Sequence, residues 1–389
     1  MNKRFILPCI LLILAVLSGC GVLSPLQRSN LMAVHHLIEA GNFEEAKEVV
    51  EEMIANDESS QWARTWSARG LLAQTAYVQG RRQNDKSKYE LYPNQLYVAI
   101  SSYETARRLD NSARLNRQLA PRYVQLSNEF KKKGERLFKE EKYAESLRAF
   151  EQALKINEGP VLNAPIDKEL MFNTALAAYE NGNQDKAITH LQTLHNERYS
   201  PNTTHLLFNL YLEKEDIVKA EEVLTEGIRD YEKNETLVML LAELFFEQGN
   251  IEGAIEMLEN AASENPSEFS FHFTMGLIYQ KTEQYPLAIK AYKQAIEIAP
   301  DELEAYLNLA TCYYNMGVEI EESTIQLQSN RRVIEKRDKS AAAFDSAVKW
   351  LDRAYEKRPD DPAHMLRLYQ LYRALNVSEK ARSIQRQFN

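Results

Sequence analysis

Small and apolar residues recur along this chain at a fixed long period, separated by charged and polar segments. Ala220, Ala254 and Ala288 are spaced 34 positions apart, and Ala347 and Ala381 are separated by the same distance. Such a period is typical of helix–turn–helix units stacked side by side, because each unit can bury its apolar face only against its neighbours. The pattern therefore predicts an extended helical array rather than a catalytic globular domain.

The clearest unit is Phe269–Glu302, which contains small residues where two antiparallel helices would cross closely. Gly276 and Ala288 would lie at that crossing, and Tyr292 would fill the space beside it. Pro300 is predicted to end the second helix, because proline cannot continue a helix interior. One unit thus accounts for two helices and the turn that follows them.

This unit resembles the tetratricopeptide repeat, whose consensus is W-x2-L-G-x2-Y, A-x3-F, A and P. Met275, Gly276 and Tyr279 match the first half of that pattern, whereas His272 stands in place of the Trp. The resemblance extends over nearly all of the chain after about residue 27. It implies an all-α, right-handed superhelical solenoid that binds protein partners.

The N-terminus predicts export from the cytoplasm. Lys3 and Arg4 precede the apolar run Phe5–Leu17, which is too short to span a bilayer as a helix and is typical of a secretory signal. The run ends in Leu-Ser-Gly-Cys at 17–20, which resembles the lipobox of bacterial lipoproteins. That resemblance implies a lipid anchor on Cys20 and a place in the bacterial cell envelope; the alternative is an ordinary signal peptide with a chance cysteine.

Gly21 follows Cys20, and the sorting rule of enterobacterial lipoproteins then favours the outer membrane. Two or more acyl chains hold a protein stably on a membrane, whereas one binds only marginally. The tether 20–26 would keep the first repeat within about 25 Å of the lipid. Partners are therefore expected at or in the membrane.

These signals divide the chain into six segments. They are a lipoprotein signal peptide at 1–19, a lipidated tether at 20–26, degenerate repeats at 27–160 with an inserted loop near 81–96, a regular array at 168–302, a unit at 303–361 with a helical insertion at 318–344, and a capping repeat at 362–389. The insertion has no Pro or Gly and many charges. It predicts either a longer hairpin or a dedicated partner-docking finger.

The net charge argues against one class of partner, and the sequence position of Cys312 indicates its role. The net charge is −9, and removal of Lys3 and Arg4 with the signal would leave 45 basic and 56 acidic side chains. An acidic chain is a poor ligand for nucleic acid, which requires basic surfaces. Cys312 occupies a small-residue position of the repeat, so it is expected to be a packed core thiol.

No motif for phosphate binding, nucleophilic catalysis or metalloprotease chemistry occurs in the sequence. His35 and His36 near Glu39 would point about 100° apart on a helix. His190 and His195 are also poorly aligned for a shared ligand. No metal, no cofactor and no enzymatic activity are therefore expected.

In tetratricopeptide proteins the first helix of each unit lines the concave groove, and the resemblance assigns partner-binding positions in this chain. The alternative is that many of these side chains pack against the neighbouring first helix. The predicted groove residues are His205, Asn209, Met239, Glu243, Phe246, Phe273, Leu277, Gln280, Leu307, Tyr314, Leu366 and Gln370. Such a groove would suit a helix or an extended peptide.

A carboxylate clamp, which some members use for peptide C-termini, is not expected here. Asn308 and Arg367 match part of that clamp, but Phe273 and Leu277 stand where Lys and Asn are required. A second class of function, glycan or nutrient binding at the cell surface, remains open. Its only aromatic candidate is the segment Tyr89–Tyr92, and the oligomeric state is not predicted.

Overall fold

The computed structural model describes residues 25–231, 234–324, 330–357 and 362–388. Within these residues the chain forms α-helices and one 3-10 turn but no strand, which confirms the predicted all-α fold. The chain divides into two compact units, with the boundary in sequence between Ala187 and Ile188. Residues 1–24, with the predicted signal and Cys20, lie outside the described part.

The first unit consists mainly of antiparallel helix hairpins, in which α1 packs on α2, α3 on α5, and α6 on α7. A 3-10 turn at Ser59–Gln61 precedes α3. The unit boundary lies within α9 Gln184–Asn196. The helices before it are α1 Pro25–Ala40, α2 Phe43–Ala55, α3 Ala63–Gln83, α4 Lys86–Tyr89, α5 Gln95–Leu109, α6 Ala113–Lys139, α7 Tyr143–Glu158 and α8 Lys168–Glu180.

The second unit repeats the same hairpin five times within its described residues, with α10 on α11, α12 on α13, α14 on α15, α16 on α17, and α18 on α19. The helices are α10 Pro201–Glu213, α11 Ile217–Asp230, α12 Glu235–Glu247, α13 Ile251–Glu264, α14 Phe269–Lys281, α15 Tyr285–Ile298, α16 Leu303–Glu322, α17 Asn330–Lys357, α18 Pro362–Ala374 and α19 Ser378–Phe388.

The turns of three successive hairpins, α10/α11, α12/α13 and α14/α15, use the same backbone conformation at the same place in the repeat. Glu215, Gly249 and Glu283 are spaced 34 positions apart, and their φ angles are 57°, 77° and 60°. This left-handed conformation ends the first helix and reverses the chain direction. In the middle hairpin Asn250 then caps the start of α13, and its side chain accepts a hydrogen bond from the Gly253 amide at 3.0 Å.

A glycine of the first helix faces a buried or half-buried aromatic ring of the second helix in several hairpins. A Cβ atom added to Gly276 would lie 2.6 Å from Cε1 of Tyr292, far inside contact distance. The crossing is therefore close because one residue has no side chain and its partner has a large one. The other pairs of this kind are Gly70 with Tyr103, Gly134 with Phe150, and Gly317 with Phe344.

The inserted segment near 81–96 is less open than the sequence suggested. Helix α3 continues through Gln83, α4 forms one helical turn, and Leu91 and Tyr92 are buried. The predicted loop is therefore largely a packed connection. Its burial comes from side chains on the neighbouring helices α2 and α3, such as Lys47, whose Nζ donates to the Leu91 carbonyl at 2.9 Å.

The segment 318–344 belongs mostly to two long helices, since α16 runs to Glu322 and α17 starts at Asn330. Residues 325–329 lie outside the described part. Near the base of this hairpin, the Ser340 hydroxyl donates to the Gly317 carbonyl at 3.0 Å. Among the described helices, none combines the length and the apolarity that a membrane crossing requires.

Candidate partner-binding groove

The predicted groove residues all lie on first helices of the second unit. Direct contacts join α12 to α14, α14 to α16, and α16 to α18. This packing of first helix on first helix brings positions from successive hairpins onto neighbouring helices, although they are far apart in sequence. A ligand laid across these helices could therefore contact several repeats at once.

The apolar part of this surface centres on α12 and α14. Met239, Phe246, Phe273 and Leu277 are all half-buried, so each keeps part of its side chain accessible. Phe273 is held by ring contacts, with its centroid 5.2 Å from that of Phe269 in a stacked arrangement. These side chains form partly accessible apolar surface on a rigid support.

Charged and polar groups border the apolar centre. The Lys281 Nζ lies 5.0 Å from the centroid of the Phe246 ring, and Glu243 is exposed on the same helix as that ring. At the far end, Leu366 keeps 54% of its surface exposed and Gln370 is also exposed. The surface thus offers apolar contacts together with groups that can bind a polar backbone or a charge.

The α10 end of the predicted groove is more polar. His205 and Asn209 are half-buried on this helix. Both can form hydrogen bonds through the accessible parts of their side chains. They contribute polar rather than apolar contacts to the predicted surface.

Leu307 was predicted to line the groove, and that prediction is wrong. Its side chain is fully buried, in a core cluster that also includes Leu303 and Tyr372. The reason is tertiary, because α14 and α18 both pack against α16 and cover this position. Tyr314 is half-buried, with its ring centroid 5.8 Å from that of Phe344 on α17.

Gln280 takes part in the core as well as in the surface. Its Oε1 accepts a hydrogen bond from the Tyr292 hydroxyl at 2.8 Å and lies 3.4 Å from the Cys312 Sγ. A ligand that donates to the Oε1 of the half-buried Gln280 side chain would have to compete with these internal bonds. Gln280 is therefore better described as a support of the groove than as an open contact.

Asn308 and Arg367 do come together, but they do not form an open anion site. Arg367 donates to the Asn308 Oδ1 and also pairs with Glu304. The His364 Nε2 lies 3.4 Å from the same Glu304 carboxylate. Since a carboxylate of this chain already pairs with the Arg367 cation, the arrangement agrees with the expectation that no carboxylate clamp operates here.

Cys312 is a buried thiol, as predicted. Burial raises its pKa to about 12, so the reactive thiolate is scarce at neutral pH. His195 is also buried, with Nδ1 3.0 Å from the Thr204 Oγ1 and Nε2 3.2 Å from the Glu226 Oε2. These contacts describe packed core residues.

In the described residues, no three His, Cys, Asp or Glu side chains are grouped so as to hold a metal ion. Partial desolvation, the largest effect on His35, lowers its pKa, although Glu39 acts in the opposite direction. His272, which replaces the consensus Trp, also has its pKa lowered by burial. Its Nδ1 has no hydrogen-bond partner.

The aromatic segment Tyr89–Tyr92 offers little to a sugar ring. Tyr92 is buried, its hydroxyl donates to Glu51 at 2.9 Å, and the Arg69 guanidinium lies 5.2 Å from its ring centroid. The guanidinium of Arg81 lies over the half-buried ring of Tyr89. The rings are therefore already occupied by cations of this chain.

Comparison with protein families agrees with the repeat geometry. Three family models described as TPR repeat or tetratricopeptide repeat match the chain, over residues 31–84 and 131–201, over 211–272, and over 281–317. Together these matches include helices of both units.

Among curated proteins, the BBSome complex member BBS4 of Bos taurus is 22% identical over 220 residues, which is 56% of this chain and 41% of BBS4. The match thus covers less than half the length of that relative. YrrB, a solved TPR protein described as having an unusual peptide-binding site, is 19% identical, with 58% of this chain and 98% of YrrB covered and a TM-score of 0.36. MamA of Desulfovibrio magneticus RS-1 is 16% identical, with 51% and 100% covered and a TM-score of 0.35.

Proposed function

The chain belongs to the tetratricopeptide repeat family, and we propose that it is a scaffold that binds protein partners on the first helices of its second unit. The observation that carries this proposal is the set of accessible apolar side chains on the first helices of the second unit, including Phe246, Phe273 and Leu366. Apolar anchors with a polar border are the usual features of a peptide-binding groove.

A helix or an extended peptide fits this surface better than a small ligand. The accessible side chains are spread over α12, α14 and α18 rather than gathered in one deep pocket. A partner that places one apolar side chain on each helix would bury them in turn. Only a few such anchors need to carry most of the binding energy.

The scaffold is held at the bacterial envelope by lipid on Cys20, and Gly21 directs it to the outer membrane. The support is the sequence Leu-Ser-Gly-Cys after an apolar run, as in bacterial lipoproteins. A short tether then keeps the repeats near the membrane surface. Its partners are accordingly components of an envelope assembly, secretion or cell-wall complex.

Capture of partners from crosslinked envelopes tests the groove. The variant Phe246→Ala/Leu366→Ser removes two accessible apolar contacts on first helices. The matched control Val218→Ser/Leu287→Ser changes two residues that are 77% and 43% exposed on the second helices α11 and α15. We expect the groove variant to lose the proteins that the unchanged chain and the control both capture.

Identical capture by both variants would refute binding on the first helices. Failure of the unchanged chain to capture any protein would refute the scaffold itself, and glycan binding would then be measured directly. Replacement of Cys20 by Ala tests the anchor separately, since the protein should move from the detergent phase to the aqueous phase. A much longer tether should reduce function if proximity to the membrane matters.

A further inference from the structure

A cavity of about 610 Å³ lies between α3 and α6, the first helices of two hairpins in the first unit. Five basic side chains and one carboxylate contribute to its lining. They are Arg81, Arg82, Lys132, Lys133, Arg136 and Glu129. A net positive cavity is unexpected in a chain whose net charge is −9, because the remaining surface must be still more acidic.

The cations of this cavity are only partly neutralised by the chain itself. The Lys132 Nζ lies 3.0 Å from Glu129, and the Arg136 Nε lies 3.6 Å from Glu140. Glu140 is shared, because the Lys142 Nζ also approaches it to 2.8 Å. Arg81, Arg82 and Lys133 form no ion pair within the described part of the chain.

Two of these unpaired cations are held in place by aromatic rings. The guanidinium of Arg81 lies 5.0 Å from the Tyr89 ring centroid, and the Lys133 Nζ lies 5.0 Å from the Tyr97 ring centroid. A ring face attracts a cation and orients it but carries no net charge. The positions are therefore preorganised while the positive charge remains available.

The surroundings of Lys133 disfavour its charged form. Lys133 is half-buried, and its pKa is lowered first by desolvation and then by the nearby charge of Arg136, although Glu145 acts in the opposite direction. An anion inside the cavity would offset both effects, because an opposite charge favours the charged form of Lys133. An acidic ligand would therefore stabilise the charged form of Lys133 in this cavity.

We propose that this cavity binds an internal acidic segment of a protein partner, with its carboxylates on Arg81, Arg82 and Lys133. Gln125 and Asn128 line the same cavity and can bond to the backbone of an extended peptide. A bilayer surface fits less well, since a cleft between two helices admits a single chain more readily than a flat surface. The site does not depend on the groove of the second unit.

Fluorescence anisotropy with the full-length chain in detergent tests the proposal. The probe is a labelled peptide of alternating Asp, Glu and Gly with both ends capped, and its control carries Asn and Gln instead. We expect Arg82→Gln/Lys133→Gln to weaken binding of the acidic probe about tenfold. High salt should also weaken binding of this probe to the unchanged protein, because it screens the attraction between opposite charges. The matched control Lys349→Gln/Arg386→Gln removes two exposed cations from the second unit and should leave binding unchanged.

Several results would overturn the proposal. Equal binding of the two peptides, or equal affinity of the two double variants, would show that the cavity charges do not recognise carboxylates. Binding to phosphatidylglycerol vesicles without affinity for the acidic peptide would identify a lipid headgroup site instead. Phe246→Ala/Leu366→Ser should bind the acidic probe normally, so failure of the second-unit groove and failure of this site are distinguishable.

Discussion

Replacing Gly276 by alanine should destabilise the protein, although alanine is the better helix former. The added Cβ would lie 2.6 Å from Cε1 and 2.7 Å from Cδ1 of Tyr292. Tyr292 is fully buried, and its hydroxyl donates to the Gln280 Oε1 at 2.8 Å. The ring cannot withdraw from the new methyl group without disturbing this bond and its core contacts.

The expected change in the free energy of unfolding is the balance of one stabilising and two destabilising effects of Gly276→Ala. Helix propensity favours alanine over glycine by about 1 kcal/mol. Inserting a methyl group into a packed core costs roughly 1–3 kcal/mol, and loss of the Tyr292–Gln280 hydrogen bond costs about 1 kcal/mol. The destabilising contributions therefore prevail, and Gly276→Ala should lower the free energy of unfolding by roughly 1–3 kcal/mol.

A double-mutant cycle with Tyr292→Leu isolates the cause. Urea unfolding followed by circular dichroism gives the stability of the four proteins, and hydrogen exchange locates the change in α14 and α15. In the Tyr292→Leu background the ring is absent, so Gly276→Ala should be neutral or stabilising by about 1 kcal/mol. The same destabilisation in both backgrounds would refute the close-crossing argument.

Three further predictions follow from single residues. Burial lowers the pKa of His272 below the value of about 6.5 expected in the unfolded chain, so its contribution to the free energy of unfolding should be complete above about pH 6.5 and decrease as the pH drops below it. The decrease in the free energy of unfolding between pH 7 and pH 5 should therefore be smaller in His272→Phe than in the unchanged protein, and an equal decrease would contradict this. Glu283→Gly should increase the free energy of unfolding by up to about 1 kcal/mol, because a residue with a side chain is strained in the left-handed conformation that Gly249 adopts at the same place in its repeat. The midpoint of urea unfolding should rise accordingly, and a lower midpoint would rule this out. Cys312 should resist iodoacetamide at pH 8 until urea is added, as measured by peptide mass spectrometry, whereas rapid labelling of the folded protein would contradict its burial.

The sequence by itself determined the repeat and most of its local structure. The spacing of Ala220, Ala254 and Ala288 defines units whose helices and turns depend mainly on nearby residues. The pairing of Gly276 with Tyr292 could also be predicted, because both belong to one hairpin. Such features are readable because each repeat contacts only its neighbours, so local pattern and fold coincide.

Only the tertiary structure decided which of the predicted groove positions are accessible. Leu307 occupies a groove position by its place in the repeat, yet α14 and α18 pack on either side of its helix and bury it. Likewise Tyr92 could have been an open aromatic residue, but Glu51 and Arg69 engage it. Exposure depends on which helices cover a side chain, and a repeat pattern does not contain that information.

The basic cavity of the first unit shows the same limit. Arg82 belongs to the pair Arg81-Arg82 and Lys133 to the run Lys131–Lys133, and a long stretch of sequence separates these two short basic runs. Packing of α3 against α6 brings them to one cavity. Charged side chains that are far apart in sequence produce a strong local electrostatic potential only when the helices that carry them lie side by side.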